Sequence, residues 1–185
     1  MLTRREILQG GVALAAGPVA VHVAAGEPTR QVAAVEAFLA DARSADALAI
    51  ADRMAAQGVP VRVCRGDLGH IYTGCLAPIW SHGGVVAGVT GAAPLFYLER
   101  LAWSHGQRIV FLGRHAAGEG HRVGGPLVMT DAFQAGTWLT DWRGGLTHTL
   151  LSTPSGAPAL RPLSAVRDAA ISGDGALLSW VLSRS

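Results

Sequence analysis

Val85-Val86-Ala87-Gly88-Val89-Thr90-Gly91-Ala92-Ala93-Pro94-Leu95 is the stretch that decides the fold class. Its first five residues are small or β-branched and alternate little, which suits a strand buried on both faces. Thr90-Gly91 ends that strand. Pro94 stands near the start of a helix running to about His105, with Leu95, Leu98, Leu101 and Ala102 along one face. Gly106 stops the helix, and Arg108 to Leu112 reads as the next strand.

The same rhythm stands upstream. Val32 to Leu39 is apolar and reads as a strand, although its alanines would also suit a helix. Ser44 is a helix N-cap, and Ala47, Leu48, Ala51, Met54 and Ala55 repeat at helical spacing through Gln57. Gly58 closes that helix, and Val59 to Cys64 reads as a short buried strand. The stops Gly58 and Gly106 lie 48 residues apart, and the same shift lays Ala37–Ala45 over Val85–Ala93. Two βαβ-like units in one partly parallel sheet follow from this echo.

Arg65 to Gly84, between the units, reads as a long connection rich in Gly, His and aromatics. Beyond Leu112 the pattern turns antiparallel. Arg114-His115 and His121-Arg122-Val123 flank a turn over Ala116–Gly120 and read as a hairpin. Leu146–Leu151 and Ala176–Leu182 are strand candidates, Asp174-Gly175 a turn, and Thr153–Pro162 a loop. The expected class is α/β or α+β: a mixed sheet with two βαβ-like units and an antiparallel C-terminal part.

At the N-terminus, Thr3-Arg4-Arg5-Glu6-Ile7-Leu8-Gln9 precedes an uncharged Ala/Gly-rich stretch from Gly10 to Ala25, interrupted by Pro18. Val23-Ala24-Ala25 offers the small residues a signal peptidase cuts after. The segment resembles a twin-arginine (Tat) signal peptide, with Ile7 where Phe is commonest and Gln9 where Lys is commonest. That resemblance implies passage through the Tat translocase, a route for folded cargo, and a periplasmic destination. Its sixteen uncharged residues fall short of the roughly 20 that span a bilayer. The segment is either cleaved or kept as a membrane anchor. Residues 1–25 are thus the expected signal, and residues 26–185 a single α/β domain.

The rest of the chain has its own likeness. Gly66-Asp67, Leu76-Ala77-Pro78-Ile79-Trp80, Gly88-Val89-Thr90, Pro94 through Ala102 and Ser179-Trp180-Val181-Leu182 resemble a group of small Tat-exported bacterial proteins. The resemblance implies export and carries no catalytic residue across.

Composition narrows the chemistry further. Fifteen basic residues against 13 acidic give a net charge of +2, falling to +1 without the signal, and no basic run follows it. This balance speaks against nucleic acid. Every basic residue is Arg, so Schiff-base, general-base and P-loop lysines are excluded. Cys64 and Cys75, met by an oxidising compartment after export, form either a disulfide or a free buried pair. Their spacing excludes CxxC redox and haem-attachment motifs.

Thr90-Gly91-Ala92-Ala93 lies between a strand end and a helix start, where free N–H groups and the helix dipole suit an anion; ordinary turn chemistry is the alternative. Ser44 holds the matching place in the first unit. Asp67, after the strand ending at Cys64, reads as a ligand-facing carboxylate or a turn former. If those strands are parallel neighbours, Asp67 and Thr90 share one sheet edge and one concavity. His115 and His121 face each other across the hairpin with Glu119 in the turn, yet no third ligand completes a metal motif, so no metal is assigned. Ser81-His82-Gly83-Gly84 resembles an esterase oxyanion run, but no G-x-S-x-G elbow accompanies it. Trp80 and Trp103 read as core, while five tryptophans, with Trp138 close to Trp142, suggest a partner surface.

No cofactor motif stands out. The reading is an exported non-enzymatic protein, either an accessory subunit with a co-exported protein partner or a small-molecule binder. Its rival is a periplasmic enzyme using Asp67, His115 or His121 as acid–base groups.

Overall fold

Strand and helix alternate from Val35 onward in the way the apolar runs dictate. The structure, a computed structural model, describes residues 34–116, 120–124, 141–153 and 175–184. In chain order these form β1 (Val35–Asp41), α1 (Ala45–Ala56), β2 (Val61–Cys64), α2 (Gly69–Ile71), a π-helical turn (Tyr72–Leu76), α3 (Ala77–Ser81), β3 (Val85–Gly91), α4 (Ala92–Trp103), β4 (Gln107–Ala116), β5 (Gly120–Gly124), α5 (Trp142–Leu151) and β6 (Leu177–Arg184). The expected signal segment, Glu119, Trp138, Asp174 and the expected loop after Thr153 lie outside the described residues. Among the described residues no helix is long and apolar enough to cross a membrane.

The six strands make one mixed sheet in the order β2-β1-β3-β6-β4-β5. β1 pairs in parallel with both β2 and β3, while β6 runs antiparallel to β3 and β4, and β5 antiparallel to β4. β3 and β4, joined by α4, therefore run the same way with β6 inserted between them. The two expected βαβ units are present, the second opened to admit a strand. The antiparallel C-terminal part is present as well.

Alternation along the strands divides the core in two. Phe38, Ala40, Ala87, Val89, Phe111 and Val181 meet Ile50 and Met54 of α1 and Leu146 and Leu150 of α5 on one face. Ala37, Leu39, Val86, Ile109, Trp180 and Leu182 meet Leu76, Trp80, Leu95, Leu98 and Ala102 on the other. Each such large side chain, fully buried, stabilises the fold by about 1.5–3 kcal/mol. Helices thus cover both faces, as a sheet with parallel strands requires.

Local signals explain most boundaries. The Ser44 hydroxyl accepts from Ala47 N at 3.1 Å and starts α1. Gly58 and Gly106 end their helices at φ 81° and 72°, which only glycine adopts without strain.

Three expectations are corrected. Leu146–Leu151 is helix, not strand, because the Asp141 carboxylate caps Gly144 N at 3.0 Å and Leu146 and Leu150, four apart, face the sheet together. The Thr147 and Thr149 hydroxyls bond back to Arg143 and Gly145 carbonyls one turn earlier. β2 is an edge strand, with Arg62 and Val63 exposed, and not buried on both faces. The Arg65–Gly84 connection is largely helical, packing Leu68, Leu76 and Trp80 under the sheet.

Candidate functional site

β1 and β3 are parallel neighbours, yet the chain leaves them toward opposite faces: α1 packs with the Phe38 cluster and α4 with the Trp180 cluster. The strand order 2-1-3 makes the gap between their C-terminal ends a topological switch point, where the two departing turns open away from each other. Open α/β sheets take ligands at such a gap because backbone donors and side chains converge there.

Asp41, the last residue of β1, is buried at this gap with Cys64 of β2 as its register partner. Its carboxylate accepts from Arg43 N and Nε at 3.0 Å each and from Nη2 at 2.9 Å. The Arg43 guanidinium, above all, holds the Asp41 carboxyl below the usual range, and the Gly91 backbone N–H adds to this. Arg43 itself is 74% exposed in its side chain, so Asp41 fixes the base of a guanidinium whose other edge faces solvent.

α4 begins at the same gap. Its N-cap, Gly91, has no side chain to cap the first turn, and that turn carries no acidic residue. α1 and α5 by contrast are capped by Ser44 and Asp141. A Cβ built on Gly91 would meet only ordinary contacts, 3.8 Å from Asp41 Oδ2 and 3.9 Å from Arg43 Nη2. The gap thus pairs an exposed guanidinium with a helix start that no side chain of its own caps. The Asp41 carboxylate already takes the Gly91 N–H there, and the next N–H groups remain for an anionic group.

The expected site residues scatter around this gap. Thr90 is fully buried, and its hydroxyl accepts from Trp180 Nε1 at 3.0 Å and donates to the Gly91 carbonyl at 3.1 Å. Asp67 is exposed, its carboxylate accepting from Gly69 N at 2.9 Å as a turn former. β1 separates β2 from β3, so Asp67 and Thr90 share a sheet edge without following neighbouring strands. Ser44 is committed to its cap.

His115 and His121 are register partners in the β4–β5 hairpin. His115 is buried, its Nε2 2.8 Å from the Ser179 Oγ and its ring 5.2 Å from that of Trp142. This serine–histidine contact lies inside the packed layer between sheet and α5. His82 is exposed and its Nε2 lies within hydrogen-bond distance of Glu36 Oε2, at 2.9 Å, and Gly83 simply turns the chain after α3 at φ 86°. Trp80 is core, as expected; Trp103 is 37% exposed and is not. Cys64 is buried and Cys75 half-buried, both free thiols packed against the Trp180 cluster. Among the described residues no three His, Cys, Asp or Glu side chains gather as a metal site.

A groove of about 320 Å³ lies elsewhere, between α1 and α5, bordered by Arg53, Gln57, Thr147 and His148 among others. Arg53 there is bound to Asp141 at 2.9 Å, and the Thr147 hydroxyl to the Arg143 carbonyl at 2.8 Å. With these two groups spent inside the fold, the groove offers a ligand less than the strand-end gap does.

Sequence reasoning missed Asp41 and Arg43. The available signal was a charged pair directly after an apolar strand and directly before the Ser44 cap. No protein-family model matches the chain, and neither does any curated protein or solved structure.

Proposed function

We propose that the chain is a Tat-exported periplasmic binding protein, not an enzyme, that holds the anionic group of a small molecule between the ends of β1 and β3. The observation that supports this reading is the Asp41–Arg43 pair: a buried carboxylate orients an exposed guanidinium toward the start of α4. Arg43 supplies the charge and the planar fork that recognise a carboxylate or phosphate. The N–H groups opening α4 supply further donors. Asp41 keeps the site from being strongly cationic, so selectivity rests on geometry more than on net charge.

The test is native mass spectrometry of the mature protein purified from the periplasm, followed by calorimetric titration with small carboxylates and phosphates. Arg43→Ala is expected to lose the bound species, and Gly91→Val to exclude it while still folding. Unchanged binding in both variants would reject the site. Turnover of a titrated compound would reject the binding-only role.

A further inference from the structure

The outward side of α4 carries a strip in which aromatic rings and guanidinium groups interleave. Phe96, Arg100 and Trp103 follow one another at spacings of four and three, with Tyr97 beside them. The Arg100 guanidinium lies 5.4 Å from the Phe96 ring centroid and 5.1 Å from that of Trp103. Arg108, arriving on β4, adds a second guanidinium 5.6 Å from Trp103. Tyr97 is 52% and Trp103 37% exposed, and only Val63 joins them as an exposed large apolar residue among the described residues.

Among the described residues no ion pair takes up the charge of this strip. Arg43, Arg53 and Arg143 each pair with an aspartate, whereas Arg100 and Arg108 form no ion pair among the described residues. The nearest acid in sequence, Glu99, is buried on the sheet side of the same helix, and burial pushes its carboxyl toward the neutral form. Set over rings by cation–π attraction, both guanidiniums keep N–H groups for an incoming acceptor at little further entropy cost, Arg108 having given one of its own to the Gln107 carbonyl at 2.8 Å. Tyr, Trp and Arg at the centre of an exposed patch is also the composition that dominates binding energy between proteins.

We infer that this face of α4 docks an acidic polypeptide segment, its carboxylates forked onto Arg100 and Arg108 and an apolar side chain set against Tyr97 and Trp103. Two other occupants fit less well. Insertion into a bilayer would drag two ring-bound guanidiniums into hydrocarbon. Stacking of bases needs open ring faces, and guanidiniums already lie over Trp103. The surface is separate from the gap at Arg43 and stands or falls without it.

The test titrates the mature protein with a fluorescent peptide of alternating Glu and Leu. A Gln/Leu peptide and phosphatidylserine vesicles run in parallel. The Glu/Leu peptide is expected to bind with salt-sensitive affinity, weakened at least about tenfold by Arg100→Gln with Arg108→Gln and similarly by Trp103→Ala. Arg62→Gln, which removes an exposed arginine from the edge strand β2, is expected to leave binding unchanged. Circular dichroism checks that each variant folds; the glutamine pair keeps the test valid if Trp103→Ala does not. Equal affinity for the Gln/Leu peptide, an equal loss in Arg62→Gln, binding to vesicles alone, or no binding up to about 1 mM peptide would each overturn the inference.

Discussion

Trp180 Nε1 donates to Thr90 Oγ1 at 3.0 Å, and the Trp180 indole lies over Gly88, its register partner across β3 and β6. Both side chains are wholly buried, so this bond joins the middle strands where water cannot replace it. Thr90→Val is expected to destabilise the fold by about 1–3 kcal/mol by orphaning the indole N–H, whereas Thr90→Ser keeps the acceptor and avoids most of that loss. Gly88→Ala is expected to cost about 1–3 kcal/mol, because a Cβ there would collide with the indole and come within 2.8 Å of the Leu39 carbonyl oxygen. Urea midpoints check all three; a valine variant as stable as the serine one contradicts the role of the bond.

Asp41 titrates with a folded value held below its unfolded one near 3.8, first by the Arg43 hydrogen bond. The stability it contributes is therefore present above the unfolded value and lost as pH falls through the folded one. Asp41→Asn is expected to be less stable than the parent at about pH 6, with the gap closing at about pH 2. A gap constant across this range would separate the loss from ionisation.

Glu99 runs in the opposite sense. Burial raises its folded value above 4.5, with Arg100 and Arg108 partly offsetting the shift. Its contribution is fully present below the unfolded value and lost as pH rises through the folded one. Glu99→Gln is thus expected to match the parent at about pH 4 and exceed it at about pH 8, read from denaturant midpoints. A variant weaker at the higher pH would show that the ionised carboxylate has a stabilising partner.

Cys64 and Cys75 are both free, and they differ in burial. Native protein is expected to alkylate at Cys75 at least about tenfold faster than at Cys64, since reaction at Cys64 awaits local opening. Intact mass without reductant should equal the reduced mass. A mass lower by two protons would establish a bridge instead.

Export is checked at Arg4 and Arg5. Replacing both with Lys keeps the charge and removes the twin-arginine feature, so precursor should accumulate in the cytoplasm. Normal periplasmic accumulation of this variant would remove the Tat assignment.

Much of the architecture is legible because strongly patterned local segments fold as they read. Ser44, Gly58 and Gly106 mark helix boundaries by their own chemistry, and the unbroken Val85–Val89 run reports burial on both faces. Leu146-Thr147-His148-Thr149-Leu150 misleads because two β-branched threonines in a short leucine-bounded run suit a strand, while spacing of the leucines by four governs the packing. Gly69, Gly74 and Pro78 look like helix breakers, yet burial of Leu76 and Trp80 overrides that local preference. At the site, Thr90 and Gly91 mark the right end of the sheet, but strand order decides which residues meet there. That order depends on pairings between distant segments, which no local pattern reports. Asp41 and Arg43 stayed hidden for the same reason.

The place of β6 also sets a timetable. Its bonds to β3 and β4 bridge long stretches of chain, 90 residues in the case of Trp180 and Thr90. As the polypeptide leaves the ribosome, β1, β2 and β3 can associate early, but β4 has no seat in the sheet until residues 177–184 arrive. Half the sheet must wait on a late tenant, leaving apolar strand edges for chaperones to guard in the interval. A shortened product ending before Leu177 would lose the keystone of both halves at once, and quality control would meet an open, aggregation-prone remnant.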